Sequence, residues 1–411
     1  MKILNFGSCN IDYVYKLDHI VTPGETETSE LMEMFPGGKG LNQSIAVANA
    51  GAKVYHAGCI GNDAQILTDI FLKSGVDISY LKKENVKNGH AVIQVNSHGE
   101  NSIFLYPGSN RMITDEYADA VLSDFDKGDI IILQNEISNI KYIIDIAYEK
   151  EMIIVLNPSP MNRQILEIDL GKISYIILNE VEGGAISQQS EPSEILSYFR
   201  QRYPDVKVVL TLGSKGSIYM DNDVEIHQPI FETDVVDTTA AGDTFTGYFV
   251  AGIANGAEYG NILKFASCAA AVAVSKKGAA PSIPMHDEVQ KAMKNMKEKD
   301  DKSDIVYHKI KHYLEENLST ATLSKLADFL CYSTVYTGNV VKRLFDKSFT
   351  EVLLDMRCNA AARLLWETEM PIDDVIRYVG YTNGGFFRSA FKERYGMNLL
   401  EYRKSVTGKA Q

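Results

Sequence analysis

The sequence predicts an α/β domain followed by an all-α domain, because the spacing of apolar residues changes once along the chain. Up to about residue 290, short runs rich in Ile, Val and Leu alternate with helical stretches. The later runs are continuous, which is typical of strands buried on both faces of a parallel sheet. The predicted strands are Lys2–Phe6, Val54–Ile60, Ile130–Gln134, Met152–Asn157, Tyr175–Asn179 and Val208–Leu212.

Two further apolar runs differ from these strands. Ala91–Val95 and Ser102–Tyr106 flank a short polar segment that contains a glycine. Such a pair predicts a β-hairpin. We expect it to form a small sheet that stands off the main one.

After residue 300, apolar residues recur at helical spacing, and the pattern repeats 49 residues later. A polar turn and another helix follow each occurrence, and a long amphipathic helix lies between them. The sequence therefore predicts two helix-turn-helix units joined by a helix. The matching sets are Leu323, Leu326, Ala327 and Leu330, and then Ile372, Val375, Ile376 and Val379.

Composition excludes several classes of protein. With 411 residues, 45% hydrophobic and 23% charged, the chain is neither disordered nor fibrous, and its length allows two or three domains. No apolar run reaches the roughly 18–20 residues of a membrane span, and Met1–Gly7 lacks the character of a signal peptide. Five scattered cysteines without C-x-x-C spacing favour a reduced, cytoplasmic enzyme over a disulfide framework or a zinc site.

The net charge of −13 is unevenly distributed. Residues 291–411 carry 20 basic and 16 acidic side chains, a net of +4, whereas the remainder carries 21 and 38, a net of −17. This asymmetry predicts two modules with different partners. We place the first domain at residues 1–290, a charged linker at 291–303 and the second domain at 304–404.

The stretch from Asp237 to Phe245 carries the strongest chemical signal. Small residues lead into a helix whose apolar face holds Phe245, Phe249 and Ile253. Free backbone N–H groups and the helix dipole favour a bound anion at such an N-terminus. A carboxylate beside that anion, Asp243, is unexpected unless it accepts a proton, so Asp243 is predicted to be a proton acceptor. The alternative is that Asp243 is an ordinary N-terminal helix acid. The predicted anion-binding amides are those of Ala240, Ala241 and Gly242.

This stretch resembles the D-T-T-x-A-G-D signature of the ribokinase-like (PfkB-type) carbohydrate kinases. A second motif of that family, Pro36–Gln43, lies some 200 residues earlier. The resemblance covers residues 1 to about 290. It implies a ribokinase-like fold, in which a Rossmann-type central sheet carries a small β-lid formed by the hairpin. Further matches in order are Asn10-Ile11-Asp12, Glu136, Asn179-x-x-Glu182, Thr211–Gly216 and Lys277–Pro284.

The resemblance implies that Asp243 accepts the proton of a sugar hydroxyl as that hydroxyl attacks the γ-phosphorus of ATP. The implied sugar is ribose, although relatives that act on other sugars or on nucleosides share parts of the motif set. It also implies a homodimer formed through the lid. The implied substrate contacts are Asn10, Asp12, Gly38, Lys39, Gly40, Leu41, Asn42, Glu136 and Asp243.

The resemblance also implies an ATP site, Mg²⁺ and an activating K⁺. Glu182, with Asn179, is expected to organise Mg²⁺ through water; alternatively the pair is an ordinary strand-end Asn and helix-start Glu. Ser267 stands where relatives often carry Asn or His. The implied ATP contacts are Asn179, Thr211, Leu212, Gly213, Ser214, Lys215, Gly216, Gly242, Asp243 and Ser267. The implied K⁺ site consists of Asp237, Thr239, Ala273, Lys276, Gly278 and Ser282.

The helical repeat resembles the DNA-binding domain of AraC-type transcription regulators, most clearly from Ile372 to Arg403. The resemblance implies that double-stranded DNA binds to helices within residues 334–344 and 383–392, about one helical turn apart. Gly338 and Gly384 are unfavourable inside such helices. The alternative for the basic residues is a solvated helix face. The implied DNA contacts are Lys342, Arg343, Arg388 and Lys392.

Three functional hypotheses are compatible with these resemblances. The first is an active ATP-dependent sugar kinase that also carries a sequence-specific DNA-binding module. The second is a transcription regulator whose kinase-like half senses a sugar without turning it over. A third possibility is a kinase whose C-terminal helices only dimerise. The presence of Asp243, Asn179 and Glu182 favours an active enzyme.

Overall fold

The computed structural model describes residues 1–98, 100–298, 302–330, 332–368, 370–382 and 384–407. The chain divides into two compact units, Met1–Lys299 and Asp300–Gln411. The division falls inside the segment 291–303 that composition marks as a linker. The beginning of that segment is helical, because it continues the helix His286–Asn295.

The first unit contains two sheets. Seven parallel strands form most of the larger sheet, and two antiparallel strands extend one edge, in the order β13-β12-β11-β10-β9-β8-β1-β4-β5. The smaller sheet has the order β3-β2-β6-β7. The described strands are β1 (Ile3–Phe6), β2 (Asn10–Lys16), β3 (Leu31–Gly37), β4 (Val54–Ile60), β5 (Asp77–Lys83), β6 (Gly89–Val95), β7 (Asn101–Tyr106), β8 (Ile130–Gln134), β9 (Ile153–Asn157), β10 (Tyr175–Asn179), β11 (Lys207–Thr211), β12 (Ser217–Met220) and β13 (Glu225–Gln228).

Helices cover both faces of the larger sheet. Along β8, Ile130 and Ile132 belong to one buried cluster, and Ile131 and Leu133 belong to the other. Alternate side chains of a strand point to opposite faces, so a strand covered on both sides is apolar throughout. The helices of this unit are α1 (Lys39–Asn49), α2 (Gln65–Lys73), α3 (Asp115–Leu122), α4 (Ile140–Glu149), α5 (Arg163–Leu166), α6 (Glu180–Ser187), α7 (Pro192–Arg202), α8 (Ala241–Ala254), α9 (Tyr259–Val274) and α10 (His286–Asn295).

This architecture confirms the predicted α/β fold. Each of the six predicted core strands is present with bounds within one residue of the prediction, and the hairpin is β6 and β7 of the smaller sheet. That sheet also contains β2 and β3, which the prediction did not include. The carboxyl ends of β1, β8, β10 and β11 lie at the same edge of the larger sheet, where ligands bind in open α/β folds.

The second unit is all helical, and its interior forms two separate clusters. One cluster includes Leu326 and Val341, and the other includes Ile376 and Phe391. Helix α14 contributes to both, which confirms two helix-turn-helix units joined by a long helix. The helices are α11 (Lys302–Glu316), α12 (Leu323–Leu330), α13 (Thr334–Phe345), α14 (Phe349–Glu367), α15 (Ile372–Tyr378), α16 (Gly384–Tyr395) and α17 (Leu399–Thr407).

Two further expectations concern the whole chain. Among the described residues, no helix combines the length and the apolar character that a membrane span requires. The thiols of Cys9, Cys59, Cys268 and Cys358 are free and buried. Cys331 lies outside the described residues.

Candidate active site

Asp243 lies in the first turn of α8 and is almost completely buried, with 6% of its surface exposed. Two amides from the start of α1 hold its carboxylate. Asn42 Nδ2 donates to Oδ2 at 2.9 Å, and Gln43 Nε2 donates to Oδ1 at 3.0 Å. The two motifs, 200 residues apart in sequence, therefore meet at this carboxylate.

The amides at the start of α8 are only partly used by the fold. Ala241 N donates to the carbonyl of Thr238 at 3.2 Å, so this member of the predicted anion-binding set is engaged. Among the described residues, the N–H groups of Ala240, Gly242 and Asp243 have no hydrogen-bond partner. A methyl group on Gly242 would meet nothing within 4 Å. The donors open to an anion therefore include Gly242 and Asp243.

Three charged residues of the predicted sugar set gather near Asp243. Asp12 lies on β2, Lys39 begins α1 and Glu136 follows β8. Glu136 Oε2 accepts from the backbone N of Lys39 at 3.1 Å and from the hydroxyl of Ser8. The contact joins the start of α1 to the end of β8.

The predicted sugar set also contains two side-chain amides, those of Asn10 and Asn42. Asn10 Oδ1 accepts from Asn110 Nδ2 at 2.8 Å, which fixes the direction of the Asn10 amide. Asn42 is 4% exposed, and its Oδ1 has no hydrogen-bond partner among the described residues. Buried amide oxygens are rarely left unpaired, and this one belongs to a side chain that contacts the carboxylate of Asp243.

The glycines of the first motif allow close backbone approach. Gly38 has a φ of 93°, a region that favours glycine, and a methyl group there would lie 2.9 Å from Asn10 N. A methyl group on Gly40 would lie 2.3 Å from Ser8 N. The amides of Gly40 and Leu41 donate to Ser8, and the Leu41 side chain is fully buried. The structure therefore gives Gly40 and Leu41 a role in packing this corner.

The clustered charges shift the pKa of several groups. Burial, followed by repulsion from Glu136 and Asp243, raises the pKa of Asp12 to about 7. Burial also raises the pKa of Glu136, against the opposing effect of Lys39. Burial alone would lower the pKa of Lys39, but the nearby carboxylates, above all Asp243, outweigh it and raise that pKa. Lys39 therefore remains charged among three acids.

Asn179 and Glu182 form a capping box at the start of α6. Asn179 Oδ1 accepts from Glu182 N at 2.9 Å, and Glu182 Oε2 accepts from Asn179 N at 3.0 Å. The capping box by itself explains why Asn179 and Glu182 are three residues apart. Glu182 is nevertheless 6% exposed, and a buried carboxylate with one oxygen outside the cap suits a hydrated cation.

The predicted nucleotide loop follows β11. The residues Gly213 and Gly216 have φ values of 55° and 95°, and a methyl group on Gly216 would lie 2.1 Å from the carbonyl of Gln228. Lys215 lies 3.8 Å from Glu180. The remaining members are Thr211, whose hydroxyl donates to the carbonyl of Leu178 at 3.4 Å, Leu212 and Ser214. Ser267 is buried in α9.

Asp237 ties together two loops of the predicted K⁺ site. Its Oδ1 accepts from both N and Oγ1 of Thr239, and its Oδ2 accepts from Gly278 N at 2.9 Å. Burial would raise the pKa of Asp237, but these bonds, with Lys277 nearby, lower it. In the same region, the carbonyl of Ala273 accepts from Lys276 N at 3.0 Å, and Ser282 Oγ donates to Ala279 O at 2.8 Å.

Sequence reasoning missed several polar residues around Asp243. Gln43 contacts Asp243 directly and is adjacent to a predicted residue, so its position in the motif was an available signal. Asn110 contacts Asn10 from a distant loop, and nothing in the local sequence marks it. The others are Ser8, Gln134 and Asn157.

In the second unit, Lys342 and Arg343 lie exposed on α13, and Lys392 lies exposed on α16. Arg388 is paired with Asp373 at 2.5 Å. Helix α13 is regular and is capped by Ser333, and a methyl group on Gly338 would lie 3.6 Å from Leu323 Cδ2. The glycine therefore does not interrupt it. Asn383, the start of the second expected reading segment, lies outside the described residues.

Comparison with known proteins identifies both units. The model of the pfkB family carbohydrate kinases matches residues 1–286, and a helix-turn-helix domain model matches residues 326–405. The chain belongs to the pfkB family of carbohydrate kinases and carries an AraC-type helix-turn-helix domain after the kinase domain. Both resemblances drawn from the motifs are thereby confirmed.

Within that family, the first unit is similar to ribokinases. It is 33% identical over 293 residues to the ribokinase of Haemophilus influenzae, covering 69% of this chain and 95% of the relative. The crystal structure of ribokinase from Cryptococcus neoformans with ADP is 33% identical, with a TM-score of 0.62, over 71% of this chain and 99% of that one. The Arabidopsis thaliana ribokinase complexed with ribose and ATP is 28% identical, with a TM-score of 0.64, over 71% and 98%.

Proposed function

We propose that the first unit transfers the γ-phosphoryl group of ATP to a hydroxyl of ribose, giving ribose 5-phosphate. The observation that carries this proposal is the buried carboxylate of Asp243, held by two amides beside the free N–H groups of Gly242 and Asp243. The similarity to ribokinases, one of them complexed with ribose and ATP, supports the choice of sugar.

In this proposal Asp243 accepts the proton of the attacking sugar hydroxyl. A carboxylate is a weak base for an alcohol. Most of the rate acceleration must therefore come from positioning and from charge stabilisation. The N–H groups at the start of α8 supply stabilisation where negative charge develops on the transferred group.

The sugar is proposed to bind against Asn10, Asp12, Lys39, Asn42 and Glu136. A polyol needs both donors and acceptors, and this set supplies carboxylates, amides and one ammonium group. Within the part of the chain that the structure describes, Asn42 Oδ1 has no hydrogen-bond partner and is one acceptor available to the sugar. Gly38 lets the backbone of the motif approach this set closely.

ATP is proposed to bind the loop Thr211–Gly216 and to lie near Ser267 and Asn179. Glu182 would hold Mg²⁺ through water, and Mg²⁺ would neutralise phosphate charge when bound. We also propose that a monovalent cation such as K⁺ binds beside Asp237 and Thr239, with carbonyl and hydroxyl oxygens near Ala273, Lys276, Gly278 and Ser282. The lowered pKa of Asp237 keeps a negative charge there.

The test is ADP release by the full chain with ribose and a panel of related sugars and nucleosides. Ribose is expected to give the highest kcat/KM. If another sugar were preferred, the chain would be a kinase for that sugar. If no sugar supported turnover but sugars changed DNA affinity, the chain would be a sensor and the kinase proposal would be wrong.

We expect kcat/KM for the sugar to increase between about pH 6 and pH 8. Asp12 has a pKa raised to about 7, and its ionised form is the better acceptor for a sugar hydroxyl. Since kcat/KM reports the free enzyme, protonation of Asp12 should reduce it about tenfold per pH unit well below 7. Rate measurements across this range check the prediction, and Asp12→Asn should remove the slope.

The same ionisation has an opposite effect on stability. Because the folded-state pKa of Asp12 lies above its unfolded value, ionised Asp12 destabilises the fold. This loss develops as the pH rises above about 4 and is complete above about 7. Asp12→Asn should therefore raise the melting temperature at pH 8 more than at pH 5. Equal shifts at both pH values would contradict a raised pKa.

The second unit is proposed to bind double-stranded DNA as a transcription regulator, through α13 and α16. Lys342, Arg343 and Lys392 are exposed and free to contact phosphates or bases. The guanidinium of Arg388 is paired with Asp373, which offsets part of its charge. The free, buried thiols support a location in the reducing cytoplasm.

We further propose that the smaller sheet pairs with that of a second copy. Its edge strand β7 exposes Ile103, Phe104, Leu105 and Tyr106, and β3, at the opposite edge of the same sheet, exposes Met32 and Met34. An exposed apolar edge of this kind favours association. Phe104→Asp should shift the chain toward a monomer in analytical ultracentrifugation, whereas the exposed control Leu72→Asp on α2 should not. A monomeric wild-type chain would contradict the proposal.

A further inference from the structure

A row of buried amide side chains leads from Asp243 into the sheet. Gln43 donates through Nε2 to Asp243 and accepts through Oε1 from Gln134 Nε2 at 2.7 Å. Gln134 Nε2 also donates to Asn5 Oδ1 at 2.9 Å. Gln43, Gln134 and Asn5 have no exposed surface. The row therefore belongs to the interior and reaches the proposed base through the contact of Gln43 with Asp243.

The direction of every amide in this row is fixed by a backbone carbonyl. Asn5 Nδ2 donates to the carbonyl of Gly40 at 2.8 Å, and a carbonyl can only accept. Asn5 must therefore turn Oδ1 toward Gln134, and Gln134 must turn its NH₂ group toward both neighbours. Gln43 must then turn Oε1 toward Gln134, which leaves its NH₂ group facing Asp243. A flip at any step would bring two oxygens together.

A second anchor imposes the same direction from another side. Asn157 Nδ2 donates to the carbonyl of Ile177 at 2.9 Å, so its Oδ1 is left to accept from Gln43 Nε2 at 3.2 Å. The NH₂ group of Gln43 is therefore required both by Asn157 and by Asp243. The carbonyl of Gly40 on α1 and the carbonyl of Ile177 on β10 therefore give the same direction for the Gln43 amide.

The row is kept at a cost to stability. Gln134 Oε1 is buried without a hydrogen-bond partner among the described residues, and a methyl group on Gly7 would lie 2.3 Å from it. An unpaired buried oxygen destabilises a fold, but Gln134 Nε2 pairs Gln43 Oε1 and Asn5 Oδ1, which an apolar side chain would leave unpaired. The amide of Gln134 also orients the amide of Gln43, because Gln134 Nε2 donates to Gln43 Oε1.

We propose that Gln43 is a positioning residue for Asp243, and that Gln134 and Asn157 fix the direction of its amide. This inference rests on the proposed function, in which Asp243 accepts a proton. Asn42 holds Oδ2 and Gln43 holds Oδ1, so the plane of the carboxylate is fixed. Each oxygen keeps a further acceptor direction for the sugar hydroxyl.

The experiment compares Gln43→Met and Gln134→Met with the wild-type full chain and with Asp243→Ala. Methionine matches the length of glutamine but cannot donate. We expect kcat to decrease about tenfold in Gln43→Met and severalfold in Gln134→Met, because misplacing a reacting group slows the chemical step. KM for ribose and for ATP should stay within about threefold, since Gln43 does not contact either in the proposal.

The matched control is Asp129→Asn, at the other end of β8 from Gln134. Asp129 is buried and accepts from the backbone N atoms of Lys2 and Asp126 at 2.7 and 3.1 Å. Its loss should lower the melting temperature without lowering kcat. Gln134→Met leaves Gln43 Oε1 and Asn5 Oδ1 without a donor, so it should lower the melting temperature as Asp129→Asn does, but it should also lower kcat. Thermal unfolding of each variant shows which are folded at the assay temperature.

The outcomes separate this inference from the proposed function. Wild-type turnover together with an unchanged kcat in both methionine variants would show that Gln43 does not position Asp243. A parallel loss of kcat in Asp129→Asn would assign the effect to general destabilisation and also overturn the inference. Absence of turnover in the wild type with every sugar would overturn the proposed function, and the inference with it.

Discussion

Asp243→Ala is expected to lower kcat for ribose phosphorylation by on the order of a thousandfold, the usual scale for loss of a general base. In the proposed reaction the carboxylate accepts the hydroxyl proton, and no other acid contacts Asn42 and Gln43 among the described residues. The change also removes the acceptor of Asn42 Nδ2 and one of the two acceptors of Gln43 Nε2, so some loss of stability is expected. The measurements are ADP release under saturating ribose and ATP, and thermal unfolding.

A matched control tests the alternative that Asp243 is only a helix-terminal acid. Asp115 occupies the first turn of α3, as Asp243 does in α8, but lies at the surface. Removing a surface acid from a helix N-terminus costs about 0.3–1 kcal/mol. Because this cost is small and Asp115 is not part of the candidate site, Asp115→Ala should leave kcat unchanged. If the two variants had similar kcat values, Asp243 would not be the base.

The affinity of the second unit for its operator should fall about a hundredfold when salt rises from about 50 to about 200 mM, if four basic residues contact phosphates. Each neutralised phosphate releases counterions, so the logarithm of the affinity falls with the logarithm of the salt concentration, by about 0.9 per contact. Lys342, Arg343 and Lys392 are exposed on α13 and α16, and Arg388 is the fourth. Fluorescence anisotropy with labelled operator measures the slope.

Replacing Lys342 and Arg343 by Ala should reduce that slope by up to about two, depending on which of them contacts a phosphate. The control removes two exposed lysines from the first unit, Lys127→Ala with Lys141→Ala, and should leave the slope unchanged. Arg388→Ala should have a smaller effect, because its guanidinium is already paired with Asp373. An affinity independent of salt would rule out direct DNA binding by these residues.

The sequence determined much of the fold because the relevant signals are local. Continuous apolar runs such as Ile130–Gln134 mark strands covered on both faces, and both clusters of the first unit contain side chains of that strand. The repeated pattern in the second domain likewise determined two helical units, because helical spacing places apolar residues on one face. The strands β2 and β3 gave no such signal, since their side chains are largely half-exposed.

The motifs also predicted most residues of the candidate site, but the tertiary structure decided which contacts each of them makes. Local turn geometry engages the amide of Ala241, and packing directs Leu41 into the core. Asn110 and Gln43 join the site because folding brings together residues about 100 and 200 positions apart.

Charge effects depend on tertiary structure for the same reason. Nothing near Asp12 in the sequence predicts a pKa of about 7, because the acids that repel it, Glu136 and Asp243, come from distant segments. The direction of the Gln43 amide likewise depends on two carbonyls on other elements. Spacing along the chain specifies residue types and local structure, whereas desolvation, repulsion and hydrogen-bond direction depend on distances that exist only after folding.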